Sequence, residues 1–196
     1  IEDINYHLPL PHKNLPLFFR ELVKVNAGTS SERNADLSNF LRLANVRYYF
    51  LKAETSKSKI NRLTKYGARV LSQNSKFVIL EDTQAFDRFR VVPSYTVIRD
   101  ERPTIDFLNL VANDLGFFKN NVVISRDPEI MFSKGSGIEY TIRVLDYRSG
   151  HYKLKVDSDR DGILVIGDRY DSNWKFSIDG IPVLHPLRAN MFFTAL

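Results

Sequence analysis

Five side chains near the C-terminal end of the sequence have the types and spacing to bind a sugar. They are two carboxylates, two aromatic rings and one guanidinium group: Asp168, Tyr170, Asp171, Trp174 and Arg188. Aromatic rings stack on the C–H faces of sugars, while carboxylates and guanidinium groups bind hydroxyls or phosphates. The same residues also permit a structural interpretation, in which the only tryptophan fills the core of a small sheet and Asp168 binds turn amides. Of these two interpretations, the sequence favours the structural one.

A run of alternating acidic residues matches the first half of a calcium-binding loop. It comprises Asp157, Asp159, Asp161 and, at the twelfth position of the loop, Asp168. Oxygen ligands at alternate positions converge on a hard cation, and Gly162 would permit the turn. Loops of this kind join two helices, whereas this run lies between two segments with strand patterns, and Arg160 adds a positive charge. The alternative is a polar hairpin turn, and Ca²⁺ is the only cofactor that the sequence suggests.

A third group of charged residues forms a basic patch. Residues 42–76 contain nine Lys or Arg and a single acid, Glu54. Within this stretch, residues 56–66 have the spacing of a helix with Ile60 and Leu63 on its inner face, and its four cations are Lys57, Lys59, Arg62 and Lys65. Such a patch suits anionic lipid headgroups, or it is an ordinary solvated helix face. No nucleic-acid-binding signature accompanies it, so we expect no nucleic acid among the partners.

The sequence lacks the motifs of several enzyme classes. It contains no cysteine, which removes disulfides, thiol nucleophiles and zinc–thiolate sites. Its four histidines have no neighbours at metal-ligand spacing, and no nucleophile elbow, zinc-protease helix or phosphate-binding loop is present. We therefore expect no self-contained catalytic site in this chain.

Composition and periodicity predict the elements that position these groups. Hydrophobic residues make up 43% of the chain and charged residues 26%, which is ordinary for a globular protein. Residues 1–132 alternate helical stripes with short strands, including a helix capped by Asp36 and a hairpin around residues 73–75. Residues 133–137 are rich in Ser and Gly and form the best linker candidate. Residues 138–196 alternate polar and apolar side chains between short turns, as in an antiparallel sheet.

The predicted fold class is therefore α+β, with two regions. A small mixed α/β region covers residues 1–132, and an antiparallel β-sandwich of jelly-roll type covers residues 138–196. Strands of the first region can also pack with the sandwich as one unit. No apolar run reaches the roughly 20 residues that span a bilayer. Because the sequence begins abruptly and ends in an apolar stretch, we expect the chain to be a segment of a larger protein.

Three segments of the sequence resemble the YfhO-type bacterial membrane protein family. The most specific runs from Asp161 through Trp174-Lys175 to Arg188-Ala189-Asn190-Met191-Phe192, where the family has a Gly-Trp-Lys motif and an Arg-Ala-Asn-Tyr-Ala-Phe segment. Residues 41–51 and 80–93 are similar to two other family segments, in the same order. The sequence departs from the family at Asn173, where a glycine is usual, and at Thr83 and Asp87, where prolines are usual. It also stops before the last strand that the family usually adds, which would leave a sheet edge unpaired.

The resemblance implies a function for the parent protein rather than for this chain alone. Members of the family look like GT-C glycosyltransferases, which transfer a sugar from a polyprenyl-phosphate donor and keep the catalytic carboxylate between transmembrane helices. This chain would then be the extracytoplasmic domain of a multi-pass bacterial membrane protein. It would act as a non-catalytic scaffold or bind the sugar or acceptor, with its own transmembrane part, a polyprenyl-linked sugar, a wall polymer or anionic lipid as partners. The alternative is a stand-alone carbohydrate- or calcium-binding β-sandwich.

Overall fold

The computed structural model describes residues 32–54, 57–99, 105–128, 137–148 and 151–196. These residues form a strand-rich fold with several antiparallel sheets and a smaller share of helix. The chain divides into two compact units, of which unit 1 draws on residues 1–86 and 104–115 and unit 2 on residues 87–103 and 116–196. The predicted linker lies outside the described residues except for Gly137. No helix in the described ranges is long and apolar enough to cross a membrane.

Unit 1 contains three described helices and a three-stranded antiparallel sheet. In chain order its elements are α1 Glu32–Leu43, β1 Tyr48–Lys52, α2 Lys57–Lys65, β2 Ala68–Gln73, β3 Phe77–Asp82 and α3 Ile105–Asn113. The strand order is β1-β3-β2, with Tyr49 opposite Leu80 and Val70 also opposite Leu80. The predicted hairpin around residues 73–75 is therefore confirmed. The predicted cap at Asp36 is wrong, because the helix begins at Glu32 and no Gly or Pro interrupts residues 32–36.

The core of unit 1 lies on one face of its sheet. Alternate strand residues point to opposite faces, so one set is buried and the other is not. The buried cluster comprises Leu41, Tyr49, Leu51, Ala68, Val78 and Leu80. Ile60 and Leu63 of α2 pack against this cluster, as their helical spacing predicts. On the other face, Tyr48 and Phe50 of β1 remain exposed.

A buried ion pair connects the helices of unit 1 to its sheet. Arg42 Nε of α1 donates to Asp82 Oδ2 of β3 over 2.8 Å, and Arg42 Nη2 donates to the carbonyl of Tyr66 just after α2. Gly67 ends α2 with φ +101°, a conformation that favours glycine. A Cβ atom there would lie 3.0 Å from Gln84 Nε2 and 3.4 Å from Arg42 Nη2, so the glycine also leaves room for the arginine.

Unit 2 is built on a six-stranded sheet that curls back on itself. Its elements are β4 Phe89–Val92, β5 Ser94–Val97, α4 Phe117–Asn120, β6 Asn121–Ile124, β7 Tyr140–Arg148, β8 His151–Ser158, β9 Ile163–Arg169, β10 Phe176–Ile178, β11 Ile181–Val183, β12 Leu187–Ala189 and β13 Phe193–Ala195. The sheet order is β4-β9-β13-β12-β6-β5, with only β5 and β6 parallel. Its two edge strands, β4 and β5, are separated in the chain by Pro93 alone. Proline lacks the N–H that a continuous ladder needs, so it suits the point where one extended segment changes partners.

Two hairpins complete unit 2. The long hairpin β7–β8 pairs Tyr140 with Ser158 and Arg148 with His151, with a register shift between Val144 and Asp146. The short hairpin β10–β11 turns at Asp179 and Gly180, with φ of +51° and +82°. Two consecutive positive φ angles are typical of the tight turns that suit strand twist, which agrees with the short turns predicted for residues 138–196.

Candidate functional site

Four aromatic side chains of unit 2 form a continuous row, which we call the aromatic row. It contains Tyr147 of β7, Tyr152 of β8, Trp174 and Phe176 of β10. Successive ring centroids are 5.3, 5.7 and 6.2 Å apart, and the planes of successive rings differ by 32°, 22° and 27°. The rings therefore have similar orientations, and the hairpins β7–β8 and β10–β11 each contribute one end of the row.

Arg88 holds the tyrosine end of the aromatic row. Its Nη2 donates to Asp168 Oδ1 over 2.6 Å and to the Tyr152 hydroxyl over 2.9 Å, while Nη1 donates to the Tyr147 hydroxyl over 2.7 Å. The guanidinium carbon is also 5.2 Å from the centroid of each tyrosine ring, within cation–π range. Arg88 immediately precedes β4 and Asp168 lies in β9, so the pairing of these two strands places the charges side by side.

The electrostatics of this cluster favour a neutral tyrosine beside an ion pair. Burial raises the pKa of Tyr152 to about 12, and the nearby Asp168 carboxylate acts in the same direction. Burial alone would lower the pKa of Arg88, but the hydrogen bond and negative charge of Asp168 outweigh it, so that pKa is raised. Asp168 Oδ2 is buried and has no hydrogen-bond partner within ordinary geometric limits among the described residues. Asp168 is thus engaged with Arg88 rather than open to solvent.

Trp174 and Phe176 both line two clefts of unit 2. The first, which we call the basic cleft, has a volume of about 560 Å³ and is lined by Arg126, Tyr170, Ser172, Trp174, Lys175, Phe176, Pro182, Val183, Leu184, His185 and Pro186. The second, the hairpin cleft, has a volume of about 670 Å³. It is lined by side chains of β8, β9 and residues 173–179, among them Tyr152, Leu154, Ile166, Trp174, Phe176 and Asp179. Both volumes lie in the range of small-molecule sites.

The structure divides the five predicted sugar-binding residues into separate groups. Tyr170 and Trp174 line the same basic cleft. Arg188 lies over the Tyr170 ring at 5.1 Å, in a cation–π pair. Asp168 binds Arg88, and Asp171 accepts a hydrogen bond from the backbone N–H of Asn173 over 2.9 Å, which holds the turn before the tryptophan. The aromatic members are therefore brought together, while the two carboxylates have structural partners.

The structure gives Trp174 and Asp168 surroundings that differ from those the structural interpretation expects. Trp174 is half-buried and lies outside the buried core, which in the described part of unit 2 is made mainly of aliphatic and phenylalanine side chains. Asp168 binds a guanidinium group rather than turn amides. The tryptophan is excluded from the core because it precedes β10, a hairpin strand with no buried residue, instead of lying in the six-stranded sheet.

The acidic side chains of the predicted calcium loop contact residues close to them in the structure. Asp157 pairs with Lys155 and Asp159 with Arg160, while the Asp159 carboxylate also accepts the N–H of Glu139 over 3.0 Å. A Cβ atom on Gly162 would lie 2.7 Å from both Val91 Cγ1 and Ile138 Cδ1, so this glycine is explained by close packing. Among the described residues, no three His, Cys, Asp or Glu side chains are grouped to hold a metal ion. The four predicted ligands, including Asp168, are thus not brought together.

The predicted basic patch falls on α2, as the sequence indicates. Lys57, Arg62 and Lys65 are exposed there, while Ile60 and Leu63 face the core of unit 1. The side chain of Lys59 lies outside the described set. The helix therefore presents at least three cations to solvent, and a membrane-surface role for them stays a prediction.

Several residues of the aromatic row and the two clefts were not predicted as site residues. Arg88, Tyr147 and Tyr152 reach the aromatic row through strand pairings that join distant parts of the chain, and Arg126 reaches the basic cleft by donating to the carbonyl of His185 over 2.7 Å. One sequence signal pointed toward Arg88, because it lies in the 80–93 segment that resembles the YfhO-type family. Lys175 directly follows Trp174, so its charge beside an aromatic ring was visible in the sequence.

Comparisons with known proteins were made in three ways. No family model matches the chain, and no curated protein or solved structure matches it. The interpretation of function therefore depends on the site itself and on the resemblance of the three segments.

Proposed function

We propose that unit 2 is a non-catalytic carbohydrate-binding module and that Trp174 is its central contact. The observation that carries the proposal is the position of this half-buried indole, which is the neighbour of both Tyr152 and Phe176 in the aromatic row and lines both clefts. Sugar rings bind to flat aromatic surfaces through their C–H faces, and neighbouring hydroxyls then bind polar groups at the rim. Ser172 and Lys175 in the basic cleft supply such polar groups.

The small number of carboxylates in the described linings of the two clefts favours binding over hydrolysis. Glycoside hydrolysis in most families uses a pair of carboxylic groups on either side of the scissile bond. In the part of the chain that the structure describes, the lining of the basic cleft contains no carboxylate, and that of the hairpin cleft contains Asp179 alone. Asp168 is held by Arg88 and Asp171 by its own turn, so neither supplies the missing partner.

In the wider proposal, the module belongs to the extracytoplasmic face of a bacterial membrane protein of GT-C glycosyltransferase type. The resemblance of residues 161–192 to the YfhO-type family supports it, and the curled sheet with its hairpins is compatible with the jelly-roll sandwich that we propose for unit 2. Its partners would be the transmembrane part of its own parent chain and a polyprenyl-linked sugar or wall polymer. Reading the complete gene tests this proposal: several transmembrane helices encoded before Ile1 are expected, and a secretion signal followed at once by Ile1 would contradict it.

Trp174→Ala tests the binding proposal, with Phe50→Ala as the matched control. Phe50 is 65% exposed on the sheet of unit 1, so its removal deletes a comparable aromatic ring away from both clefts. We expect wild type and Phe50→Ala to bind the same oligosaccharides in isothermal titration calorimetry. Trp174→Ala should fold with the same circular dichroism spectrum and bind about tenfold more weakly or worse, a change of about 1.4 kcal/mol. Equal binding by all three proteins would show that Trp174 is only structural.

A stand-alone calcium-binding β-sandwich is the second candidate function. The alternating acids of residues 157–161 motivate it, although their contacts in the structure are to Lys155, Arg160 and Glu139. Binding to the folded state alone must raise thermal stability. A melting temperature that is unchanged at millimolar Ca²⁺ would remove this candidate.

A further inference from the structure

The charges of the basic cleft carry an inference that rests on the proposed function and makes it more specific. The cleft combines an aromatic floor with two cations, Arg126 and Lys175, and the imidazole of His185. Among the described residues that line it, there is no Asp or Glu. The cations are therefore not balanced by carboxylates within the cleft itself.

We propose that the ligand of the basic cleft is an anionic glycan, in which a sugar ring stacks on Trp174 and a carboxylate or phosphate group binds Arg126 and Lys175. A guanidinium group matches the geometry of either anion, and an ammonium group adds a point charge. Charge-assisted hydrogen bonds of this kind are stronger than those between neutral groups. The chemistry shared by uronic acids and sugar phosphates is thus what the cleft recognises.

Arg126 is positioned for this role by a contact that uses one of its guanidinium nitrogens. Its Nη2 donates to the backbone carbonyl of His185 over 2.7 Å, and this bond ties the segment after β6 to the segment between β11 and β12. The acceptor is an uncharged carbonyl, so this bond does not pair the guanidinium group with a carboxylate. Arg88, by contrast, is neutralised by Asp168 at 2.6 Å and cannot serve the same purpose.

The hairpin cleft differs from the basic cleft in the residues that line it. It shares Trp174, Lys175 and Phe176 with the basic cleft, but the rest of its lining mixes aliphatic and polar residues and includes the carboxylate of Asp179. An anion that stacks on Trp174 is therefore favoured on the side of Arg126. A neutral sugar has no such preference.

The experiment compares pairs of ligands in which one member carries an anionic group and the other does not. The galacturonic acid tetrasaccharide is titrated against its methyl ester, and maltotetraose phosphate against maltotetraose, with inorganic phosphate as a probe without a sugar ring. We expect the charged member of at least one pair to bind about tenfold more tightly than its neutral counterpart, with inorganic phosphate far weaker than either. The pair that shows the difference identifies carboxylate or phosphate as the source of the anion.

Two double variants locate the effect. Arg126→Gln with Lys175→Gln should remove the preference for the charged ligand and leave binding of the neutral one unchanged. Arg143→Gln with Lys153→Gln removes the same charge from exposed positions of β7 and β8 and should keep the preference. If the charged and neutral ligands bind equally, or the control pair behaves like the cleft pair, the anionic-glycan proposal is overturned while the sugar-binding proposal stands. If Trp174→Ala leaves every titration unchanged, the proposed function fails as well.

Discussion

The two units each contain an arginine–aspartate pair, and the two pairs have different surroundings. In unit 1, the side chains of Arg42 and Asp82 are only 8% and 3% exposed, and Arg42 also binds the Tyr66 carbonyl. In unit 2, Arg88 is 32% exposed and Asp168 15%, and the remaining donors of Arg88 go to two tyrosine hydroxyls of the aromatic row. The first pair fastens helices to a sheet, and the second holds an aromatic surface that borders a cleft. The same two residue types thus serve packing in one unit and the candidate site in the other.

Breaking the buried pair is expected to have the largest effect. Arg42→Met keeps an apolar side chain of similar length but leaves the buried Asp82 without its cation. We expect the free energy of unfolding to fall by about 3–5 kcal/mol, because an uncompensated charge would remain in the core. Urea unfolding followed by circular dichroism measures this loss. Arg42→Met combined with Asp82→Leu should recover much of it, and a single variant as stable as wild type would contradict a packing role.

Breaking the second pair is expected to cost less stability. Arg88→Met should lower the free energy of unfolding by about 1–2 kcal/mol, since solvent screens a partly exposed pair. It should also change the fluorescence of Trp174, because both tyrosine hydroxyls lose their donor and Tyr152 stacks on the indole. Arg88→Lys is the control that keeps the charge. A loss as large as that of Arg42→Met would remove the distinction between the two pairs.

The pKa of Tyr152 offers a pH test of the second pair. Because its pKa is raised from 10.0 to about 12, the folded protein retains a proton that the unfolded chain has already lost between these values. The contribution of Tyr152 to stability is therefore complete below about pH 10 and is lost as the pH rises towards 12. Ultraviolet absorbance should show a late component of tyrosine ionisation, and Tyr152→Phe should reduce that component. Uniform ionisation of all tyrosines near pH 10 would be inconsistent with the cluster.

A third, exposed ion pair is expected to contribute least to the free energy of unfolding. Arg69 and Glu81 are 2.6 Å apart on neighbouring strands of unit 1, but the Arg69 side chain is 66% exposed. Arg69→Ala should change the free energy of unfolding by less than about 1 kcal/mol, and added salt should reduce that change further. Urea unfolding at low and high salt measures it. A loss above that of Arg88→Met would show that exposure does not rank these pairs.

Local features of the fold were predictable from the sequence, and long-range ones were not. The hairpin at residues 73–75 follows from turn chemistry, since the Asn74 side chain accepts the N–H groups of Lys76 and Phe77. The end of α2 at Gly67 follows from the positive φ that glycine tolerates. The antiparallel hairpins β7–β8 and β10–β11 follow from short turns between alternating segments. The sandwich arrangement stays a prediction.

The candidate site was predictable only in its local part. Tyr170 and Trp174 lie close in sequence and share the basic cleft. Arg88 meets Asp168 because β4 pairs with β9, and no local pattern specifies which distant strand becomes a neighbour. Asn190 shows the same limit: its Oδ1 accepts the N–H of Val123 while its own φ is +47°. Asparagine tolerates that conformation, but its partner on β6 follows only from the fold.

The most direct test of the account uses the fluorescence of Trp174, which is the only tryptophan in the sequence. Its emission is followed while the galacturonic acid tetrasaccharide or maltotetraose phosphate is added, with binding measured independently by calorimetry. The account predicts a saturable change in emission whose dissociation constant equals the calorimetric value. Emission that stays constant while calorimetry records binding would place the sugar away from Trp174 and contradict the proposed site.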